Sequence, residues 1–235
     1  MGSEFDRFAA EGYAGLLRDP LRERFAPGSW FFLERKLILI RDFYRRLGGD
    51  TESATWLDVG CGEGGLLALG RSFFREVAGC DVSAGMIQHC QGVNVRLQES
   101  PVRIPFSEQS FDLVTAVCVY HHVSEEDRLA LTAEVSRVLK SNGIFCVIEH
   151  NPLNPLTQVI VRRTPVDSQA RLLNAAIARR LARTAGMHVI ETRYFLYFPQ
   201  RYYAQMASIE AKLAALPLGG QYAVFCRKAS TLVSD

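Results

Sequence analysis

A glycine-rich turn that follows a short apolar run constrains this chain more than any other feature. Segment 57–64 reads LDVGCGEG, so Gly60, Gly62 and Gly64 alternate with other residues behind Asp58. An apolar run with helical spacing comes next. This order predicts a buried strand, a turn that excludes side chains, and the start of a helix. Because glycine adopts positive φ and lets a ligand touch the backbone, the turn is expected to bind a ligand.

Strand and helix patterns alternate from residue 54 onward. Such alternation predicts an α/β fold, in which helices cover both faces of a parallel sheet. We expect an N-terminal helical cap over 1–50 and a single compact domain over 51–235. The predicted strands are 55–59, 76–81, 93–97, 111–119, 143–149, 187–197 and 221–227. The predicted helices are 64–74, 84–90, 125–139 and 168–185, and the stretch 199–219 is expected to form an extra helix or lid.

Composition and charge narrow the classes of partner. The 235 residues are 48% hydrophobic and 22% charged, which suits a globular domain. A net charge of +2 provides no electrostatic basis for binding nucleic acid or an anionic membrane, so neither is expected as a partner. No apolar run approaches the ~20 residues that span a bilayer. The six cysteines are scattered and form no CxxC pair, which favours reduced cysteines, no zinc site and a cytoplasmic location.

Two carboxylates indicate which cofactor the glycine turn accepts. Glycine turns between a strand and a helix serve dinucleotides as well as S-adenosylmethionine (SAM), so the glycines alone do not discriminate. Asp58 lies two residues before Gly60, where it would repel a pyrophosphate but attract the ammonium and sulfonium of SAM. Asp81 ends the next apolar run, where a carboxylate can accept both ribose hydroxyls in either family. Asp58 therefore favours SAM, and Asp81 is compatible with it.

Two later segments strengthen this interpretation. IPFSEQSFDLVTAVCVYHHV (104–123) and EVSRVLKSNGIFCVIEH (134–150) are similar to the patterns LPF–SFD–hH and E-h-x-R-V-L-K-P-G-G, although Ser141 and Asn142 stand where Pro-Gly is common. With the glycine turn, they make residues 50–230 resemble the class I SAM-dependent methyltransferases. The resemblance implies a Rossmann-like sheet of seven mostly parallel strands, the last antiparallel, with helices on both faces and an N-terminal helical cap. EHNPLNPL (149–156) resembles a subgroup found beside sugar and secondary-metabolite pathways.

The resemblance also implies a set of cofactor contacts. The methionine part of SAM would meet the glycine turn, the ribose would meet Asp81, and the methyl group would lie over the backbone at the end of the fourth strand. The adenine amino group would lie near Ser100, or near Glu99 if the register slips. The implied contacts are Asp58, Gly60, Cys61, Gly62, Asp81, Val82, Met86, Glu99, Ser100, Val117 and Cys118. The product would be S-adenosylhomocysteine (SAH).

Polar side chains after the fourth and fifth strands are candidates for the acceptor site. The carboxyl ends of parallel strands open onto the ligand crevice. His121 is the first candidate for a general base and His122 the second, because imidazole titrates near neutral pH. Packing of either ring in the core is the competing interpretation. Tyr13, Tyr120, Glu149 and His150 are the candidate acceptor contacts, and no metal is expected.

The leading hypothesis is methyl transfer from SAM to a hydroxyl or amine of a small metabolite. The first alternative is C-methylation of an aromatic or quinone-like substrate, which the Tyr120–His122 segment does not distinguish. An NAD(P)-dependent oxidoreductase and a non-catalytic SAM-binding module are further alternatives. Asn151-Pro152-Leu153 is similar to the N-P-P-Y motif of amino-methyltransferases, but it follows the fifth strand instead of the fourth. Methylation of a nucleic-acid base is therefore not expected.

Overall fold

A seven-stranded sheet forms the centre of the molecule, which a computed structural model describes over residues 4–229. The spatial order of the strands is β3-β2-β1-β4-β5-β7-β6. All neighbouring pairs are parallel except those of β7, which is antiparallel to both β5 and β6. The predicted fold class is therefore confirmed. The strands are β1 Thr55–Val59, β2 Glu76–Asp81, β3 Asn94–Leu97, β4 Phe111–Val117, β5 Leu139–His150, β6 Met187–Phe195 and β7 Gln221–Lys228.

Ten α-helices occur among the described residues, four of them before the first strand. None is both long and apolar enough to cross a bilayer. Two single 3₁₀ turns, Tyr120–His122 and Pro165–Asp167, interrupt the loops after β4 and α8. The helices are α1 Glu4–Ala10, α2 Tyr13–Leu16, α3 Pro20–Phe25, α4 Trp30–Arg46, α5 Gly65–Gly70, α6 Ala84–Ile87, α7 Arg128–Val138, α8 Pro155–Arg163, α9 Ala175–Thr184 and α10 Gln200–Leu213.

The order of the strands creates the crevice that positions the site. From β1 the chain moves outward to β2 and β3, and it then returns to the other side of β1 as β4. The loops after β1 and β4 therefore leave the sheet in opposite directions and open a gap at its carboxyl edge. The glycine turn and the segment around Cys118 border this gap.

Two apolar cores cover the two faces of the sheet. Leu57 and Val59 point into one core together with α7 and α9, while Trp56 points into the other with α4 and α5. The alternation follows from the period of two along a strand. On the α4 side, the rings of Phe43 and Phe225 stack with centroids 3.7 Å apart. The same face carries Asp58, so α4 packs close to the glycine turn.

Several predicted element ends were wrong. The strand predicted to reach residue 119 ends at Val117 because Cys118 adopts φ 58°, a left-handed conformation that no strand tolerates. Leu196, at φ 62°, ends β6 for the same reason. Conversely, β5 begins at Leu139, four residues before the prediction, with a shift of register against β4.

The region after β5 departs most from the prediction. Residues 155–163 form a helix that was not predicted: Asn154 accepts a hydrogen bond from the Thr157 amide, and Pro155 occupies the first turn, where a missing amide hydrogen does no harm. The helix predicted from residue 168 begins only at Ala175, where the Asn174 side chain caps it. The stretch 199–219 contains the expected extra helix, α10.

A buried ion pair attaches α4 to α10. Arg35 donates to Glu210 over 2.7 Å, and both side chains are almost fully buried. Glu210 also accepts a hydrogen bond from the Tyr197 amide, and the ring of Tyr203 lies 3.9 Å from the Arg35 guanidinium carbon. The longest N-terminal helix is thereby joined to the segment between β6 and β7.

Candidate cofactor and acceptor site

Two cavities lie at the carboxyl edge of the sheet and share a wall. The cofactor cavity, of about 450 Å³, contains the glycine turn. The acceptor cavity, of about 230 Å³, lies beside it over the ends of β5 and β7. The shared lining comes from the N-terminal helices and from the loop after β4, namely Tyr13, Leu17, Arg22, Phe32, Lys36, Cys118 and His122.

The glycine turn is held by the backbone and leaves room for a ligand. The amides of Gly60 and Cys61 donate to the Cys80 carbonyl over 2.7 and 3.0 Å. Gly60 and Gly62 adopt positive φ, 69° and 54°. A Cβ atom on Gly62 would meet no protein atom within 4 Å, although the residue lines the cavity. The turn therefore presents its backbone to whatever fills the cofactor cavity.

Asp58 is oriented by a chain of buried hydrogen bonds. The Trp56 indole donates to Thr115 over 2.8 Å, and the Thr115 hydroxyl donates to Asp58 over 2.6 Å. Burial raises the pKa of Asp58 to about 7, against the opposing effects of Thr115 and of Lys36. A cationic ligand in the cavity would replace the solvation that the carboxylate has lost.

Asp81 connects the glycine turn to the loop after β2. It accepts hydrogen bonds from the Gly62 amide over 2.8 Å and from the Ser83 amide over 2.9 Å. Burial raises the pKa of Asp81 in spite of these bonds. Asp6 of α1 binds the same loop, accepting from the Ser83 hydroxyl and the Gly85 amide over 2.7 and 3.0 Å. The first helix therefore lies next to the predicted ribose contact.

Nine of the eleven predicted cofactor residues line the cofactor cavity, and Glu99 and Ser100 do not. Glu99 is exposed, and Ser100 forms a bridge with Arg103 at the surface. Gln98, 4% exposed, takes this position in the wall instead. The residue that faces the cavity therefore lies one to two positions before the predicted pair. The backbone N–H of Gln98 donates to the Asp81 carbonyl, which keeps the Gln98 side chain on the inner face. Val82 and Met86, the predicted neighbours of the adenine, also line the cavity.

Cys118 lies where the two cavities meet. Its left-handed conformation turns the chain out of β4, and its sulfur lies 3.7 Å from the Lys36 ammonium and 3.4 Å from the Gln221 amide nitrogen. Burial raises the pKa of the Cys118 thiol, but Lys36 and His150 outweigh burial and lower it to about 7. Val117, the other predicted neighbour of the methyl group, lines only the cofactor cavity.

His121 occupies an unusual position in the wall of the acceptor cavity. It is 1% exposed, and its Nδ1 lies 2.5 Å from Glu149 Oε2. Its Nε2 faces Asp167 at 3.4 Å without a hydrogen bond of acceptable geometry. Burial lowers the pKa of His121, but Glu149 and Asp167 outweigh burial and raise it to about 10. An imidazole that already holds its proton at neutral pH is a poor general base. His121, the first candidate for that role in the sequence, is therefore poorly suited to it in this environment.

His122 has the properties that His121 lacks. It lines both cavities, is partly exposed, and has its Nε2 3.3 Å from Asp167. Burial is the main cause that lowers the pKa of His122. The Phe5 ring packs edge-on against it with centroids 5.0 Å apart. Among the two predicted bases, His122 is therefore the one with access to both a cofactor and an acceptor.

Two predicted acceptor contacts are buried away from the cavities. Glu149 is fully buried; it accepts hydrogen bonds from the Val119 and Tyr120 amides as well as contacting His121. Tyr120 is 2% exposed and pairs with Thr132 in the core. Both were predicted to line the acceptor site because they lie at strand ends, but this position does not determine which way a side chain points.

The other two predicted contacts do line the acceptor cavity. Tyr13 borders both cavities, and His150 borders the acceptor cavity with its Nε2 4.0 Å from Asp167. Burial raises the pKa of the Tyr13 hydroxyl above its usual range, with Asp167 adding to the effect. Tyr13 is therefore a neutral hydroxyl at physiological pH.

Sequence reasoning missed three charged residues of the shared region. Lys36 and Arg22 line both cavities, and Asp167 lines the acceptor cavity. Lys36 did carry a signal, since it lies one turn from Phe32 and one turn from Ile40 on the buried face of α4, where a lysine is unusual. No comparable signal in the sequence marks Asp167, because the unpredicted helix α8 and the turn after it bring this residue to the site.

Comparison with known proteins agrees with this geometry. Residues 57–147 match the family described as "Methyltransferase domain". A tRNA (carboxymethyluridine(34)-5-O)-methyltransferase of Arabidopsis thaliana is 31% identical over 116 residues, which are 48% of this chain and 28% of that protein. A demethylmenaquinone methyltransferase of Thermobifida fusca is 31% identical over 118 residues, 44% of this chain and 48% of that protein. The chain spans less than half the length of the curated relatives it matches.

Solved structures share the fold over almost the whole chain. A methyltransferase solved in complex with the Haloferax volcanii Trm112 methyltransferase activator superposes with a TM-score of 0.66 and 17% identity, covering 97% of this chain and 99% of that one. The fold is therefore that of the class I methyltransferases, and segment 57–147 is similar to their methyltransferase domain. A Haemonchus contortus phosphoethanolamine N-methyltransferase 2 solved in complex with SAM shares this fold, with a TM-score of 0.59 and 18% identity over 83% of this chain and 53% of that one.

Proposed function

We propose that this chain transfers the methyl group of SAM to a hydroxyl or amine of a small metabolite. The observation that carries the proposal is the junction at Cys118. There the cavity that contains Asp58, the glycine turn and Asp81 adjoins a second cavity with polar and apolar walls. A methyl donor in one cavity and an acceptor in the other would be held side by side, and alignment of this kind supplies much of the rate of methyl transfer.

The charges of the cofactor cavity match the methionine part of SAM. Asp58 meets the ammonium, and Lys36 and Arg22 meet the carboxylate, since both cations line the same cavity. Asp81 accepts the ribose hydroxyls with the lone pairs that Gly62 and Ser83 leave free.

Apolar and neutral side chains receive the rest of the cofactor. Val82 and Met86 pack against the adenine ring. The Gln98 side chain, which lines the same cavity, binds the polar edge of the adenine. Cys118 lies beneath the transferred methyl group. The cavity thereby matches each part of SAM with a side chain of suitable chemistry.

His122 receives the proton of the acceptor. It borders both cavities, and the nearby Asp167 carboxylate orients its ring. A base oriented by a carboxylate is the arrangement that proton removal from a hydroxyl requires. Tyr13 and His150, which both line the acceptor cavity, contact the acceptor.

The N-terminal helices close the site after SAM has entered. Phe5, Tyr13 and Phe32 line the cofactor cavity, while Asp6 attaches α1 and Arg35 attaches α4 to the main domain. Closure of this kind excludes water from the reacting groups. SAH is expected to slow hydrogen exchange in α1 to α3 more than in α10; equal exchange with and without SAH would contradict a closing cap.

The volume of the acceptor cavity supports an acceptor of small size. A volume of about 230 Å³ beneath the N-terminal helices suits a small molecule of the sugar or secondary-metabolite type. Two alternative acceptors are suggested by the names of the relatives. The name of the Arabidopsis protein points to a modified uridine of tRNA, and that of the Thermobifida protein to demethylmenaquinone. Both tRNA and a quinone precursor therefore belong among the acceptors tested.

Calorimetry and turnover test the proposal in sequence. SAM and SAH are expected to bind the purified chain and NAD is not; binding of NAD alone would make it an oxidoreductase. SAH release is then measured with panels of hydroxyl, amine and phenol metabolites, with a quinone precursor and with tRNA. Turnover with tRNA only would replace the small-molecule acceptor, and SAH binding without turnover on any panel would favour a non-catalytic module.

The base is tested on whichever acceptor gives turnover. His122→Ala is expected to lower kcat by about 10²- to 10⁴-fold with little change in SAM affinity. His188→Ala is the matched control, because this histidine is exposed on β6. Near wild-type turnover of His122→Ala would remove His122 from proton transfer.

A further inference from the structure

We propose that His121, His150 and Asp167 bind a divalent transition-metal ion in the wall of the acceptor cavity. The three side chains come from the turn after β4, the end of β5 and the turn after α8. One ligand atom from each lies within 4.8 Å of the other two. The separations to Asp167 are 3.4 Å from His121 Nε2 and 4.0 Å from His150 Nε2. Ligands bound at about 2.1 Å from one ion are about 3.0–3.4 Å apart, so small side-chain movements suffice.

The strongest observation is the free nitrogen of His121. Its ring is fully buried, Nδ1 is engaged by Glu149 at 2.5 Å, and Nε2 has no hydrogen-bond partner among the described residues. A buried ring nitrogen without a partner is costly in an ordinary protein interior. Metal binding would displace the proton that Nε2 carries while the imidazole is charged. His121 would then donate its Nδ1–H to Glu149 and offer Nε2 to the ion, which is the arrangement typical of metal ligands, in which the carboxylate sets the tautomer and strengthens the ligand.

The charges of the cluster also suit a cation. Glu149 is fully buried and Asp167 nearly so, and the imidazole of His121 lies between their carboxylates. Even the positively charged imidazolium form of His121 compensates only one of these two negative charges. A dication bound to neutral His121 balances both carboxylates, which lowers the free-energy cost of burying them.

The ligand set selects the kind of metal. Two imidazole nitrogens and one carboxylate suit Zn²⁺, Co²⁺, Mn²⁺ or Fe²⁺, whereas Mg²⁺ and Ca²⁺ prefer oxygen ligands. Three protein ligands leave coordination positions open, and the acceptor cavity lies on that side because all three residues line it. His122, 3.3 Å from the same carboxylate, is close enough to act on a group bound there.

A metal in this wall deepens the proposed function in one respect. An acceptor hydroxyl that coordinates the ion becomes more acidic and is held toward Cys118, and its proton then passes to His122. That role rests on the proposed methyl transfer. Binding of the ion itself does not, so the two can fail separately.

The experiment measures Co²⁺ binding to untagged protein stripped of metal with a chelator. We expect one Co²⁺ per chain, with visible d–d absorption and ultraviolet changes from imidazole ligation, and displacement by Zn²⁺ but not by Mg²⁺. His150→Ala and Asp167→Ala should each weaken Co²⁺ binding at least about 100-fold, since the loss of an outer-shell partner alone costs 10- to 100-fold. His188→Ala, at an exposed site, should bind Co²⁺ as the unaltered chain does.

Measuring SAH binding by the same samples distinguishes the loss of the metal site from the loss of the fold. His150 and Asp167 are chosen because they are less buried than His121, so their variants are expected to fold and to bind SAH. If the unaltered chain binds SAH but takes up no Co²⁺ or Zn²⁺ at micromolar concentrations, the metal site is refuted while the proposed function stands. Undiminished Co²⁺ binding by His150→Ala and Asp167→Ala would equally refute it.

Discussion

Protonation of Asp58 should control the affinity for the cofactor near neutral pH. The carboxyl is buried, and its pKa is raised to about 7 because burial outweighs the Thr115 hydrogen bond and the charge of Lys36. Only the ionised form attracts the cofactor ammonium. With a pKa near 7, about one site in ten is ionised at pH 6, so SAH should bind about tenfold more weakly at pH 6 than at pH 8. That ratio corresponds to about 1.4 kcal/mol.

The stability of the ligand-free protein should change in the opposite direction. An unfolded aspartic acid ionises near pH 4, whereas folded Asp58 holds its proton up to about pH 7. Between these values the folded state binds more protons than the unfolded state. The contribution of Asp58 to the free energy of unfolding should therefore fall as the pH rises through this window.

Calorimetry of SAH binding from pH 5.5 to 8.0 is the assay. Asp58→Asn should bind about 10- to 150-fold more weakly at pH 7.5, the range for losing a hydrogen bond to a charged group, and should remove most of the pH slope. The other groups around Asp58 are Thr115, Lys36, Asp81 and Cys118. Of these, Cys118 also has a pKa of about 7, so Cys118→Ser serves as the control and should retain the slope. A flat profile in the unaltered chain, or an equal slope in Asp58→Asn, would refute the reasoning.

Three further substitutions test the cofactor site and the fold. Gly62→Val should abolish SAH binding because Gly62 lines the cavity, whereas Gly186→Val, also at positive φ and with open space around it, should carry a similar strain of about 1–2 kcal/mol and bind normally; equal binding by both would refute the close contact. Asp81→Ala should weaken SAH binding by about 1.5–3 kcal/mol in calorimetry, and unchanged affinity in a folded variant would exclude Asp81 from the site. Glu210→Ala should lower the free energy of unfolding by about 3–5 kcal/mol in urea because it leaves Arg35 buried without its partner, and a loss below about 1 kcal/mol would contradict this.

Local sequence pattern was enough to predict the sheet and most of the residues that were expected to bind the cofactor and that line the cofactor cavity. The apolar run before Asp58, the glycine turn and the next run ending in Asp81 depend on contacts between near neighbours and on backbone freedom, which sequence records directly. Nine of the eleven predicted cofactor residues line the cavity for this reason. Glu99 and Ser100 do not line the cavity. They follow the four-residue strand β3, whose end was predicted correctly, but the sequence did not indicate which of the residues after it faces the cavity.

The acceptor side was harder to predict because its residues come from distant parts of the chain. His121 and His122 are adjacent in the chain but lie in different environments. The position of Glu149, 28 residues from His121, determines that His121 binds this carboxylate and that His122 does not. Similarly, Lys36 reaches the site from α4, and its buried position depends on how that helix packs.

The sequence by itself predicted the class of fold, the glycine turn and the proposed cofactor, since these follow from patterns within a few residues. Tertiary structure alone decided which polar side chains line the acceptor cavity. Asp167, carried by an unpredicted helix, meets His121, His122 and His150 only after β5, α8 and the loop after β4 converge. Side-chain direction at a strand end depends on neighbouring elements, and so does the pKa of a buried group, because desolvation and nearby charges act through space and not along the chain.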